Sequence, residues 1–178
     1  MRKGWFLIPG VQDGDRTLEQ QIKGLEDLDV RGHKVLELGC AEGLMSRWLI
    51  GRGADEVHGV DVVVDHVREA RRQCADMPIK LAIRDLNVSA PFGPYDTIIA
   101  LAVLHKLRRP AEVAAQIAHC ATRQIIIRLP PQTAPVVIDE RSGNHPHDVE
   151  APLLQRGWKR VRVTKGSFEE FTAFYARD

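Results

Sequence analysis

Between Val35 and Ile127 the chain alternates short apolar strands with helical stretches, and then the alternation stops. Lys34-Val35-Leu36-Glu37-Leu38 predicts a first strand ending at Gly39. A helix follows over about residues 42–52, with Leu44, Trp48 and Leu49 on one face and Gly51 and Gly53 able to end it. Val57 to Val60 predicts a second strand closed by Asp61, and Asp65 is placed to cap a helix that turns Val67, Ala70 and Cys74 inward. Ile79 to Ile83 and Tyr95 to Leu101 predict the third and fourth strands. Pro110 suits the first position of the next helix, which carries Val113, Ile117 and Cys120, and Ile125 to Ile127 predicts a fifth, buried strand. Such alternation builds right-handed βαβ units and hence a doubly wound parallel sheet. After a helix closing at Gly157, strands at Lys159 to Thr164 and Phe168 to Ala176 lie too close for a crossover helix. They must form a hairpin, so the expected fold is an α/β, Rossmann-like, seven-stranded sheet, mostly parallel with one antiparallel strand at the C-terminal end.

Composition narrows the class. A chain of 178 residues with 44% hydrophobic residues suffices for one domain with a core. We expect a single domain over 1–178, with an arm and helix over 1–29 and the core over 30–178. Turn residues Pro9, Gly10, Asp13, Gly14 and Asp15 give the arm no clear period. Thr17 and Gln20 then form a capping box, with Leu18, Ile22, Leu25 and Leu28 at helical spacing. With 25 basic and 24 acidic residues the formal net charge is +1, which argues against a general polyanion-binding surface. Cys40, Cys74 and Cys120 are scattered, which fits neither a disulfide framework nor a zinc site, and suits the cytoplasm. Four apolar residues from Trp5 to Ile8 are too few for a signal-peptide core, and no run approaches a membrane span.

The chemistry gathers at the strand ends. In Glu37-Leu38-Gly39-Cys40-Ala41-Glu42-Gly43 a strand enters a glycine-containing turn and a helix leaves it. Such a turn admits a ligand to backbone N–H groups, although any α/β protein needs one. Glu37 is placed to reach a ligand amine, directly or through water. Asp61, ending the second strand, can accept both hydroxyls of a ribose, with Asp65 the better helix cap. Asp85 can accept from an adenine amino group while Leu86 packs on the ring; a solvated loop carboxylate is the alternative. Ligands of open α/β sheets bind outside the carboxyl ends of the strands, where all these residues converge.

This arrangement resembles the class I S-adenosylmethionine-dependent methyltransferases. The glycine-rich motif, the acid at Asp61 with Val67-Arg68-Glu69-Ala70-Arg71 after it, the acid at Asp85 and the segment Tyr95 to His105 are all similar to that family's motifs. The likeness covers about residues 30–178. Ala41 departs from it, standing where the family often has glycine; its methyl group is expected to be tolerated, with crowding of the methionine part of the cofactor the alternative. The resemblance implies S-adenosyl-L-methionine as cofactor, held by Glu37, Gly39, Cys40, Ala41, Gly43, Asp61, Val62, Asp85, Leu86 and Leu101. It implies a methyltransferase acting on a small-molecule acceptor, with a tRNA base as the alternative, without membrane association and compatible with a homodimer. The arm from Trp5 to Arg16 is loosely similar to one that helps close the site in some relatives; packing on the domain is the other reading.

In-line attack on an electrophilic methyl group needs positioning above all, and a base if the acceptor is a hydroxyl. His105, just past the fourth strand, is the candidate base by position; a structural or solvated histidine is the alternative. Asp139 and Glu140 lie in the loop after strand five. His145-Pro146-His147-Asp148 invites a metal reading, but no further ligand set is evident, so no metal is expected and Asp148 or Asn144 is read as a helix cap. Arg108 and Arg109 next to Lys106 form a basic cluster near the presumed site, read as a solvated helix entry, with attraction of an acidic substrate the alternative. Trp48 and Trp158 read as core, whereas Trp5, in the arm, is placed to cover a ligand. Two rivals remain: a non-catalytic S-adenosylmethionine-binding module, and an NAD-dependent oxidoreductase. The latter's Gly-x-Gly-x-x-Gly fingerprint is broken at Ala41 and Leu44.

Overall fold

The computed structural model describes residues 2–88, 93–131 and 146–177. The arm forms β1 (Arg2–Phe6) and β2 (Gln12–Arg16), and α1 (Leu18–Ile22) follows. The core runs β3 (Lys34–Leu38), α2 (Leu44–Gly51), β4 (Glu56–Asp61), α3 (Val64–Gln73), β5 (Ile79–Ile83) and β6 (Tyr95–Leu101). A short 3-10 turn (Leu104–Lys106) leads into α4 (Pro110–Cys120), β7 (Ala121–Leu129), α5 (Pro146–Leu154), β8 (Lys159–Lys165) and β9 (Phe171–Ala176). Seven strands make one sheet in the order β5-β4-β3-β6-β7-β9-β8. Pairings from β5 to β7 are parallel, whereas β9 runs antiparallel to both β7 and β8. The expected architecture is therefore the observed one. Chain order reverses between β3 and β6, so a crevice opens beyond their C-terminal ends.

Strand alternation supplies a core on each face of the sheet. Leu36, Ile98, Ile125 and Ile127 pack with α4, α5 and Trp158 on one side. Val35, Ile99, Ile126 and Phe174 pack on the other with Met45 and Leu49 of α2 and with Phe6, Leu25 and Leu28. The arm thus contributes a buried side chain to the core.

Several local expectations need correction. The arm is not aperiodic: β1 and β2 pair in parallel, and its turn residues Pro9 and Gly10 fall between them. The capping box on α1 is present, but α1 ends at Ile22; Leu25 and Leu28 are buried beyond it, past Gly24 at φ +82°. Asp65 lies inside the first turn of α3 rather than at its N-cap, which is Val63 with no side-chain cap. Asp148 likewise lies within α5, while Asn144 falls outside the described residues. Trp158 is buried, but Trp48 is only half-buried, stacked under Arg52. The last hairpin's second strand begins at Phe171, not Phe168, because Glu169 turns the chain at φ +56°.

Candidate functional site

A cleft of about 220 Å³ opens beyond the C-terminal ends of β3, β4 and β6. Its walls are Gly39 and Ala41 after β3, Asp61 and Val62 after β4, Asp85 and Leu86 after β5, and Leu101 ending β6. Seven of the residues expected from sequence therefore share one hollow. Glu37, Cys40, Gly43 and His105 do not line it.

Hydrogen bonds fix its polar groups. Each Asp61 carboxylate oxygen accepts one backbone N–H at 2.9 Å, Oδ2 from Ala41 and Oδ1 from Val63. Each oxygen keeps a further lone pair for a ligand. Asp85 Oδ1 accepts from the Asn87 backbone at 2.8 Å, which holds the carboxylate at the cleft wall. The turn's own amides are committed inside the protein. Gly39 and Cys40 both donate to Val60 O, at 2.8 and 3.0 Å, and Gly43 donates to Cys40 O at 2.9 Å. These three N–H groups therefore do not face a ligand. Gly43 serves packing: at φ +80°, an added Cβ would lie 3.0 Å from both Ala70 Cβ and Cys74 Sγ. Two non-glycine residues on the cleft walls hold left-handed backbone, Ala41 at φ +45° and Ala102 at φ +56°.

Glu37 sits behind the turn, 4% exposed, and accepts a hydrogen bond from Ser46 Oγ. Burial pushes its carboxyl up to about 8, against the opposing pull of the Ser46 hydrogen bond, so it is mostly protonated at neutral pH. Cys40 is buried against Gly59, and burial raises its thiol out of the ionisable range.

The other wall comes from the arm and from the segment after β6. The arm delivers Trp5 to the cleft, and the ammonium of Lys106 lies 4.4 Å from its ring centroid. Lys106 is a wall residue, not a solvated helix entry. Burial lowers its pKa first of all, while Asp61, Asp15 and Glu170 act to raise it and Arg16 to lower it. Behind Trp5, Arg16 makes a bidentate ion pair with Glu170 at 2.9 and 3.0 Å, both groups buried. The buried Arg128 donates to Thr172 Oγ1 and to the carbonyls of Gln21 and Lys23, tying α1 to β7. His66, in the first turn of α3, also lines the cleft. No local signal marked Glu42, which is 1% exposed and accepts from the backbone N–H groups of Trp5 and Phe6. Among the described residues no group of three His, Cys, Asp or Glu is arranged to hold a metal, and no helix is long and apolar enough to cross a membrane. Asp139, Glu140 and His145 lie outside the described residues.

The model of a family described as a methyltransferase domain matches residues 35–124, half of the chain. The tRNA U34 carboxymethyltransferase of Pseudomonas paraeruginosa is 30% identical over 130 residues, covering 68% of this chain and 40% of that protein. Its namesake in Pseudomonas savastanoi pv. phaseolicola is 28% identical over the same shares. The chain thus spans 40% of the length of these relatives. Magnesium protoporphyrin IX methyltransferase from Synechocystis PCC 6803, crystallised with S-adenosylmethionine, superposes with a TM-score of 0.71 at 24% identity, covering 86% of this chain and 74% of that one. An S-adenosylmethionine-dependent methyltransferase from Mesorhizobium loti gives a TM-score of 0.70 at 16% identity, covering 84% and 93%.

Proposed function

The chain belongs to the methyltransferase-domain family, and on that premise we propose that it transfers a methyl group from S-adenosyl-L-methionine to a small-molecule acceptor. One observation carries the reading: the acids at Asp61 and Asp85, the apolar Leu86 and the Gly39–Ala41 turn line a single cleft. Their chemistry fits the donor. Asp61 takes the ribose hydroxyls on its two remaining lone pairs, Asp85 the adenine amino group, and Leu86, with Val62, the ring. Leu101 and Ala41 bound the methionine end. Cys40 and Gly43 shape the turn from behind, and Glu37, beneath it, answers the donor's positive charge in its ionised form, which the bound donor favours.

The sulfonium of S-adenosylmethionine supplies the electrophilic methyl group. The chain's own contribution is to hold donor and acceptor in line and to keep water out. Trp5, Leu101 and Lys106 form the wall left for the acceptor. A half-desolvated ammonium there draws an acceptor oxygen that carries negative charge. Lys106, rather than its neighbour His105, thereby takes the acceptor-facing position in this reading. Calorimetry with S-adenosylhomocysteine and with NAD tests the proposal. Saturable binding of the first and none of the second is expected, and the reverse result ends it. Lys106→Met should leave S-adenosylhomocysteine affinity within about threefold while abolishing the preference for an anionic acceptor over its neutral amide.

A second reading, transfer to a tRNA base, is favoured by the 30% identity to a tRNA U34 carboxymethyltransferase. The net charge of +1 speaks against it. Binding that weakens steeply with added salt would favour RNA, since phosphate contacts release counterions.

A further inference from the structure

Glu42 is a nearly inaccessible carboxylate inside the turn that would hold the donor, yet it does not face the cleft. Its two oxygens reach the other way. Oε1 accepts from Trp5 N at 2.9 Å and Oε2 from Phe6 N at 3.0 Å. Nε2 of His66 lies 3.4 Å from Oε1, and the same ring's Nδ1 lies 3.9 Å from Asp61 Oδ1. A single carboxylate therefore connects the arm to the glycine turn and, through His66, to the acid after β4.

The arm is shaped to receive it. Gly4 precedes the two donors, and a Cβ added there would stand 2.3 Å from Glu42 Oε1 and 2.0 Å from Gln12 Nε2. Gln12 is buried and donates to Phe6 O at 2.8 Å, so a methyl group at Gly4 would push the ends of both side chains out of these contacts. The residue carried next along β1 is Trp5, whose ring lines the cleft beside Lys106. A buried carboxylate with two charge-assisted bonds to backbone is a strong and directional tether.

We propose that Glu42 is a positioning residue that fastens the arm to the donor-binding turn, so that Trp5 walls the cleft only while that turn holds its ligand-ready shape. The inference rests on the donor reading above. In this role Glu42 touches neither donor nor acceptor; it acts through Trp5. Donor occupancy and arm closure then stabilise each other by linkage.

The test uses S-adenosylhomocysteine as the probe, with calorimetry for affinity and hydrogen exchange for the amides of Trp5 and Phe6. In the wild type, ligand should slow exchange at both amides. Glu42→Ala and Trp5→Ala should each weaken binding about tenfold, and the double variant no more than the worse single, because both remove the same wall. Gly4→Ala, whose added methyl group drives the Glu42 and Gln12 side chains out of place, should match Glu42→Ala in both readouts. Glu42→Gln, keeping one acceptor oxygen, should fall between. Thermal melts separate these effects from misfolding, and Trp5→Ala, a half-buried site, keeps the test alive if Glu42→Ala does not fold. Fast arm amides in Glu42→Ala with unchanged affinity overturn the inference, as does additivity in the double variant. Absence of S-adenosylhomocysteine binding in the wild type is a different result, and defeats the donor reading instead.

Discussion

The two ends of the cleft are built by different physics. At the end formed by Asp61, Asp85 and Leu86, each acid is set by backbone N–H groups a few residues away or across one turn. At the arm end, order comes from buried side chains whose partners lie tens of residues away or more: Arg16 with Glu170, Arg128 with Thr172, and Glu42 with the backbone of Trp5 and Phe6. The first kind of order survives wherever the strand ends survive. The second depends on buried charges that must all be paired at once, and is correspondingly brittle.

The sharpest way to break the comparison is to strand one of those charges. Glu170→Ala leaves the Arg16 guanidinium buried without its carboxylate, and should destabilise the fold by about 3–5 kcal/mol in urea titrations. The adenosine end should keep its geometry in whatever fraction remains folded. An effect under about 1 kcal/mol would mean that water replaces the carboxylate, and that the arm end is less dry than its burial indicates.

Asp61→Ala asks the complementary question. We expect donor affinity to fall by roughly 1.5–3 kcal/mol, as for lost hydrogen bonds to a charged group. Because Asp61 also ties Ala41 to Val63, Asp61→Asn is the useful partner. It keeps the shape and one acceptor oxygen and should recover part of the loss. Unchanged affinity in a folded Asp61→Ala protein refutes ribose binding there.

This contrast also explains what the sequence disclosed. Strand ends at Gly39, Asp61 and Asp85 were legible because apolar periodicity fixes where a strand stops, and a parallel sheet sends every stop to one rim. The βα order and the terminal hairpin followed from segment spacing. The arm was not legible: Gln-Asp-Gly-Asp-Arg over Gln12–Arg16 has no strand pattern, and β2 exists because β1 pairs with it. Glu42 has no local signature either, and Lys106 only that of a basic cluster near the strand end. One is an acid in a turn and the other a lysine in a basic run, and only partners distant in sequence give them their positions. The turn amides misled for a related reason. A glycine turn after a strand suggests open donors, but here β4's own carbonyl at Val60 takes two of them.

Glu37 gives a smaller, pH-resolved effect. Its folded carboxyl titrates at about 8 rather than the ordinary 4.5. The folded state therefore holds a proton that the unfolded chain releases. This contribution to stability is complete below about pH 4.5 and is lost as pH rises through 8. A cationic donor favours the ionised form, so donor affinity should rise with pH up to about 8, by at most about tenfold per unit, and level off above it. Glu37→Gln should flatten both profiles. A wild-type affinity independent of pH between 6 and 8 would remove Glu37 from the donor's surroundings.

The smallest expected effect separates strain from crowding at Ala41. Left-handed backbone costs an L-residue about 1–2 kcal/mol, whereas glycine there adds roughly 0.4–1 kcal/mol of unfolded-chain entropy to be lost on folding. Ala41 also buries its methyl group between the second core cluster and the cleft, so removing it forfeits a little packing. The terms nearly cancel, and Ala41→Gly should change stability by less than about 1 kcal/mol. Donor affinity is the discriminating measurement. If the methyl group crowds the methionine end, Ala41→Gly tightens S-adenosylmethionine binding a few-fold. Ala102→Gly relieves comparable strain on the β6 side of the same cleft, at φ +56°, without clearing that end. Equal gains at both positions would assign the effect to backbone relaxation. A gain at Ala41 alone would mark its methyl group as a steric limit on the donor, set by a side chain where the fold itself asks for none.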